Sequence, residues 1–228
     1  MQEEDLEHPV KVLIVGNGAV GKSSMIQRYC KGIFTREYKK TIGVDFLEKK
    51  LSVKGEELRL MIWDTAGQEE FDSLTKAYYR DAEACVVAFS TIDRDSFEAV
   101  ESWIKKVEDE VGRIPMVLIQ NKVDLIEEAA MTKEEAEALA DRIKLKFYRT
   151  SVQENYNVDQ VFQYLSELYV DELKKSEQLA EGTTGSQASG DGTAAPKKRT
   201  FATSEGVVKL QPKQRTGGRK NKQLCSLG

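Results

Sequence analysis

Eight residues constrain this chain more than any other stretch: Gly16-Asn17-Gly18-Ala19-Val20-Gly21-Lys22-Ser23. They fit the spacing G-x-x-x-x-G-K-[ST] and lie between an apolar run, Val10 to Val15, and a segment expected to be helical from about Lys22 to Lys31. A strand, a glycine-rich loop and a helix in that order aim consecutive backbone N–H groups and the positive helix end at one point, which suits an anion. Gly16, Gly18 and Gly21 let the backbone turn tightly and approach a polyphosphate without a Cβ in the way. On this reading Asn17, Gly18, Ala19, Val20, Gly21 and Ser24 shape the cradle. Lys22 reaches the terminal phosphates, and the Ser23 hydroxyl ligates Mg²⁺. A purely structural glycine turn is the alternative; the in-register Lys-Ser and the preceding strand argue against it.

The rest of the chain supplies a sheet for that loop. Val44 to Val53 and Leu58 to Trp63 read as strands joined by a turn at Lys54-Gly55, an antiparallel hairpin. Ala84 to Phe89, Met116 to Ile119 and Phe147 to Thr150 are short strands, separated by helical stretches near 68–80, 94–111 and 132–144. Val158, Val161, Phe162, Leu165, Leu168 and Tyr169 recur at three- and four-residue steps, one helical stripe facing a core. Alternating short strands and helices predict an α/β fold, a mostly parallel sheet with one antiparallel edge hairpin and helices on both faces. Residues 1–9 are expected to be a solvated leader, 10–175 the globular domain and 176–228 a flexible tail rich in Gly, Ser and Thr, then in Lys and Arg.

Charge is spread unevenly. The formal net charge is −4, yet residues 171–228 carry 11 Lys/Arg against 6 Asp/Glu. A basic tail on an acidic body suits an anionic partner such as a membrane surface. The three cysteines, Cys30, Cys85 and Cys225, have neither metal-ligand nor disulfide spacing. Cys30 and Cys85 are expected to be small core residues. The single histidine, His8, nearly excludes histidine-based catalysis. No signal peptide or bilayer-spanning run is visible.

Ligands of open α/β sheets bind beyond the carboxyl ends of the strands, so the residues following each strand carry the chemistry. Asp64-Thr65-Ala66-Gly67-Gln68 follows Trp63. Asp64 stands where such proteins hold Mg²⁺. Gly67 offers an amide to a γ-phosphate, and Gln68, a donor and acceptor, can orient an attacking water. Asn121-Lys122-Val123-Asp124 closes a later strand. A carboxylate at Asp124 can accept from both the N1–H and the exocyclic amine of guanine, a donor pair adenine lacks. In Thr150-Ser151-Val152-Gln153 the Val152 amide can donate to the guanine carbonyl oxygen.

Taken together, these motifs resemble the Ras superfamily of small GTPases and, within it, the Rab family, over residues from about 10 to 175. Thr41-Ile42-Gly43-Val44-Asp45-Phe46 looks like the Rab effector-loop signature, and Tyr78-Tyr79-Arg80 and Leu60-Met61-Ile62-Trp63 look like further Rab segments. The resemblance implies a Ras-like P-loop fold with six strands and a GTP/GDP switch. Thr41 would give its hydroxyl to Mg²⁺ and its amide to the γ-phosphate. Phe34 would lie edge-on to the guanine, and Tyr38 would cover the phosphates. Phe46, Trp63 and Tyr78 would form an aromatic triad read by effectors, beside Ile42, Gly43, Val44 and Asp45. Asn121, Lys122, Asp124, Ser151, Val152 and Gln153 would surround the base. Four positions depart from the family pattern. Glu70 replaces an arginine, Asp81 a glycine, and Gln153 the lysine whose stem covers the base; Ala19, in place of a second consecutive glycine, is common among Rabs.

The expected reaction is hydrolysis of GTP, with Lys22, Thr41, Gly67 and Gln68 as the catalytic set. No arginine near the phosphate loop is obviously placed to act in cis, Arg36 being the nearest by sequence, so unaided turnover on the order of 10⁻⁴ s⁻¹ is expected. The implied partners are an exchange factor, a GTPase-activating protein, a GDP-dissociation inhibitor or escort, and effectors that serve vesicle traffic. The chain is expected to be a monomer that binds no nucleic acid, although Lys197-Lys198-Arg199 also fits a nuclear-localisation pattern. Cys225, four residues from the end and preceded by Lys209, Lys213, Arg215, Arg219, Lys220 and Lys222, resembles a prenylation site on a single-cysteine Rab of the kind associated with cilia and endosomes. Peripheral attachment to the cytoplasmic face of a membrane is the expected location. Two other readings stay open here: an adenine-nucleotide kinase or ATPase, and a module that holds nucleotide without hydrolysing it.

Overall fold

The structure is a computed structural model, described here for residues 7–37, 41, 44–65 and 78–182, without the side chains of residues 44, 45 and 179–182. Six strands form one sheet: β1 (His8–Val15), β2 (Val44–Val53), β3 (Glu56–Thr65), β4 (Ala84–Ser90), β5 (Met116–Asn121) and β6 (Lys146–Arg149). Their order is β2-β3-β1-β4-β5-β6. β2 pairs antiparallel with β3, and every other pairing is parallel. This is the sheet the alternation of segments predicts, with the hairpin at one edge.

The helices are α1 (Lys22–Lys31), α2 (Arg94–Glu98), α3 (Val100–Val111), α4 (Lys133–Ile143) and α5 (Val158–Gly182), with a short 3₁₀ turn over Val123–Glu128. The single helix expected over 94–111 divides at Ala99, whose ψ of −9° opens the turn, although Trp103 N still donates to Ala99 O at 3.0 Å. β1 begins at His8, two residues before the apolar run. Pro9, which has no N–H to lend to the ladder, is tolerated near the strand start, opposite Arg59. α5 runs on to Gly182, past the change of composition near Lys175. Of the helix expected near 68–80, only Tyr78, Tyr79 and Arg80 lie within the described residues; the first two are helical and Arg80 is in a turn.

Side-chain alternation along β1 explains why both faces are covered. Val10, Val12 and Ile14 point to one face, where α1 (Met25, Ile26, Tyr29) and α5 (Val158, Val161, Phe162, Leu165) pack. Leu13 and Val15 point to the other, against α3 (Trp103, Val107) and α4 (Ala136, Leu139, Ala140). A strand buried on both sides reads as one continuous apolar run, as Val10–Val15 does. Cys85 is buried in β4, and Cys30 is half-buried against the α1–α5 core. Burial pushes both thiols up from their ordinary range, so neither is a reactive thiolate.

The register lines up the strand ends. Ile14 pairs with Asp64, Val15 with Val87, Ser90 with Asn121 and Gln120 with Arg149. The motifs that follow β1, β3, β5 and β6 therefore emerge along one edge.

Candidate functional site

The loop after β1 wraps closely enough that two of its glycines are sterically required. Gly16 has φ 140°, and a Cβ there would sit 3.1 Å from the Ala88 carbonyl carbon and overlap its oxygen. Gly21 has φ 99°, and its Cβ would overlap the Asn121 side-chain amide nitrogen. Gly18 does not take the left-handed turn that its type suggests. That conformation falls on Ala19, with φ 60°. The loop closes on α1, whose N-terminal cap is Gly21 and whose Met25 N donates to Gly21 O at 2.9 Å.

Lys22 is folded into the loop. Its ammonium donates to Gly16 O at 2.7 Å and Asn17 O at 2.8 Å. Only 6% of the residue is exposed. Burial draws its pKa down to about 8, partly opposed by the attraction of Asp64. Across the loop, Trp103 Nε1 donates to Asn17 Oδ1 at 2.8 Å, anchoring the loop to α3. Val20 is fully buried, and its carbonyl accepts from Asn121 Nδ2 at 2.8 Å. Asn121 is in turn a partner of the Thr150 hydroxyl at 3.3 Å. One buried amide thus ties the phosphate loop to the strand ends of β5 and β6.

Three oxygens converge beside Lys22. The Ser23 and Thr41 hydroxyls lie 2.7 Å apart, and Thr41 Oγ1 lies 3.4 Å from Asp64 Oδ2. Asp64 is 7% exposed, and the neighbouring Thr65 hydroxyl fixes the end of β3 by donating to Ile14 O at 2.8 Å. Among the described residues there is no group of three His, Cys, Asp or Glu side chains suited to a metal. One carboxylate and two hydroxyls nevertheless form a hard-oxygen set of the kind that holds Mg²⁺ together with phosphate oxygens. The donor chemistry and the bare-backbone cradle at Gly16 and Gly21 fit a magnesium-bound polyphosphate.

A cleft of about 200 Å³ opens beside the loop, lined by Gly21, Ser24, Phe34, Lys122, Asp124 and Gln153. Lys122 adopts φ 63°, turning the chain so that the 3₁₀ segment begins at the cleft. Ser151 and Val152 are buried, and the loop they start is closed by Ser151 N donating to Tyr156 O at 3.2 Å and Tyr156 N to Ser151 O at 2.8 Å. Arg36 also lines this cleft.

On the hairpin, Phe46 is 43% exposed and stacks on Trp63 with centroids 5.1 Å apart; Tyr78 lies 6.4 Å from Trp63. The three aromatics expected to form a triad are contiguous. Beneath them Lys11 Nζ sits 4.4 Å from the Trp63 ring and donates to Arg80 O at 2.8 Å. Asp81 occupies the left-handed region at φ 62° and attracts Lys11. A glycine would suit that backbone, and aspartate is among the few other residues that tolerate it. Tyr38, Ile42, Gly43, Gly67, Gln68, Glu70 and Cys225 lie outside the described residues. Val44 and Asp45 are placed in β2 by their backbone alone.

The profile of the Ras family matches residues 11–170. The chain belongs to the Ras family. It is 36% identical to Ras-related protein Rab-21 of Mus musculus over 179 residues, 78% of this chain and 80% of that one. Against Rab-21 of Homo sapiens the identity is 36% over 209 residues, covering 91% and 88%. Ras-related protein Rab-30 of Homo sapiens is 33% identical over 177 residues, 77% and 87%. The chain is therefore a Rab-type small GTPase, a GTP hydrolase of a family that binds GTP, GDP and Mg²⁺.

Two residues of the site are silent in the sequence. Trp103 reads as one more apolar helix position, yet its indole holds Asn17. Arg28 reads as a solvated helix cation, yet its guanidinium donates to Val152 O at 2.9 Å and Gln153 O at 2.7 Å. No local pattern signals either contact.

Proposed function

We propose that this GTPase is a switch for intracellular membrane traffic, active while GTP is bound and released by hydrolysis. The observation that carries the reading is the meeting of Thr41, from the loop before β2, with Ser23 of the phosphate loop and Asp64 at the end of β3. Ser23, Thr41 and Asp64 would hold Mg²⁺. When bound, the ion would neutralise charge on the phosphates. Lys22, already aimed along the loop carbonyls, would turn to the terminal phosphates, whose negative charge would restore its ordinary pKa. The cradle is the backbone of Asn17, Gly18, Ala19, Val20 and Gly21, with Ser24 at the helix start. Thr41 and Gly67 would give amides to the γ-phosphate, and Gln68 would orient the water.

In the cleft Asp124 would accept the two guanine donors, and the Val152 amide would donate to the carbonyl oxygen. Asn121 would hold the loop and the base motif together. Phe34, Lys122, Ser151 and Gln153 would complete the walls, with Tyr38 over the phosphates. No arginine in cis is expected to assist hydrolysis, and a GTPase-activating partner would supply one.

Loss of the γ-phosphate removes the partners of Thr41 and Gly67, and both segments relax. The Phe46–Trp63–Tyr78 face, on which Phe46 is exposed, would then change for effectors together with Ile42, Gly43, Val44 and Asp45. An exchange factor would reload the site, and an inhibitor or escort would carry the GDP form. Cys225, prenylated and backed by the basic tail, would hold the chain on the cytoplasmic face of a membrane.

The test is Gln68→Leu. Single-turnover hydrolysis of bound GTP should fall at least about 10-fold and the GTP form should accumulate, in line with loss of a water-orienting group. Hydrolysis equal to wild type, with and without an activating protein, would remove Gln68 from its role.

A further inference from the structure

Arg28 is a cation bonded to two residues that line the cleft, Val152 and Gln153, and the preceding mechanism gives it no task. It stands in the last turn of α1. Besides Val152 O and Gln153 O, its guanidinium donates through Nη1 to Gly32 O at 3.1 Å and lies 5.7 Å from the centre of the Phe34 ring. Two of those partners, Val152 and Gln153, line the cleft, and Gly32 stands two residues before Phe34, which lines it too. The planar fork presents separate N–H groups to three diverging carbonyls, which the compact ammonium of a lysine cannot do at once. The 151–156 loop is clamped from its far side by the Ser151–Tyr156 pair, and Asn157 Nδ2 donates to Arg149 O at 2.8 Å. Arg28 is the clamp on the near side.

We propose that Arg28 is a positioning residue for the guanine base. It joins the Phe34 wall to the Val152–Gln153 wall and so sets how long a guanine nucleotide stays bound. The need is sharper here because Gln153 stands where the family pattern places a lysine stem over the base. The inference rests on the reading of this cleft as the guanine site. Since the contacts of Lys22, Ser23, Thr41 and Asp64 involve none of the residues that Arg28 holds, the effect falls on nucleotide release and not on phosphate chemistry.

The experiment uses the full-length protein with saturating Mg²⁺ and reads two rates, release of a fluorescent GDP and single-turnover hydrolysis of pre-bound GTP. Arg28→Ala should release GDP about 10- to 100-fold faster, the scale of one or two charge-assisted hydrogen bonds. Hydrolysis should stay within about 3-fold, since no group at the phosphates is altered. Arg28→Lys, which retains the charge but not the fork, should fall between, and it stands in for the alanine variant should that one fail to fold. Release within about 2-fold of wild type in a folded variant, or a loss of hydrolysis as large as the gain in release, overturns the proposal. Asp124→Asn separates the two layers. If it abolishes guanine preference while Arg28→Ala leaves release unchanged, only the role of Arg28 falls. If it leaves guanine binding intact, the cleft is not the guanine site and both fall together.

Discussion

Replacing Gly21 with alanine tests whether the phosphate loop and the base motif are one mechanical unit. Two penalties are expected. The backbone at φ 99° resists an L side chain, at a cost of about 1–3 kcal/mol. The new methyl also displaces the Asn121 amide from Val20 O, a buried bond of 2.8 Å, whose loss costs about 1–3 kcal/mol. Gly21→Ala should therefore destabilise by roughly 4 kcal/mol, a large part of a domain's usual stability of about 5–15 kcal/mol. The second penalty passes through Asn121 and so disappears when that side chain is already absent. In a cycle of wild type, Gly21→Ala, Asn121→Ala and the double variant, the double should be less destabilised than the sum by about 1–3 kcal/mol. Urea denaturation monitored by circular dichroism, with GDP and Mg²⁺ held constant, measures all four. Additivity to within about 0.5 kcal/mol would refute the mechanical link.

Three further outcomes follow from the same geometry. Gly16→Ala meets the Ala88 backbone instead of a movable side chain; it should lower Tm by roughly 10 °C, about 4 kcal/mol at this chain length, and removing no single side chain should rescue it. Lys22 loses its proton near pH 8 in the fold and near 10.5 when unfolded. Between those values the unfolded state binds more protons, so without added nucleotide the denaturation midpoint of wild type should rise with pH relative to Lys22→Met across that window; a flat difference would contradict the burial of this ammonium. Trp103→Phe keeps the packing but leaves Asn17 Oδ1 without its indole donor; a stability loss of about 1 kcal/mol, measured by denaturation, is expected.

The sequence makes the chemistry legible wherever function demands a residue type at a fixed offset from a strand end. Gly16 to Ser23, Asp64 and Asn121 to Asp124 are of this kind, because on the proposed reading phosphate, magnesium and guanine each need a particular group at a particular strand terminus. The mostly parallel sheet with its edge hairpin is legible for a related reason: the turn at Lys54-Gly55 marks the hairpin, and unbroken apolar runs mark strands covered on both faces. What stays hidden is fixed by distant partners. Arg28 lies 124 residues from Val152 and Trp103 lies 86 from Asn17, and neither carries a spacing that marks its contact. The left-handed turn at Ala19 also escapes a residue-by-residue reading, because glycine at Gly18 is the easier host, while the loop's path past Val20 and Asn121 decides where the turn falls. The break at Ala99 is similar. The stretch from Arg94 to Val111 contains neither proline nor glycine, and its division is a matter of packing. Asp81 runs the other way. Its departure from the family's glycine suggests an altered surface, and the structure adds that the backbone there remains the one a glycine would take.

The central claim is that one glycine-rich loop grips the phosphates while Asp124 chooses the base. Binding of GDP and of ADP to the purified protein, each with and without Mg²⁺, tests it most directly by titration calorimetry. The account predicts Mg²⁺-dependent binding of GDP, at least about 10³-fold tighter than ADP, because the Asp124 carboxylate facing adenine would find no donor pair. Equal affinity for the two nucleotides, or GDP binding indifferent to Mg²⁺, would contradict it.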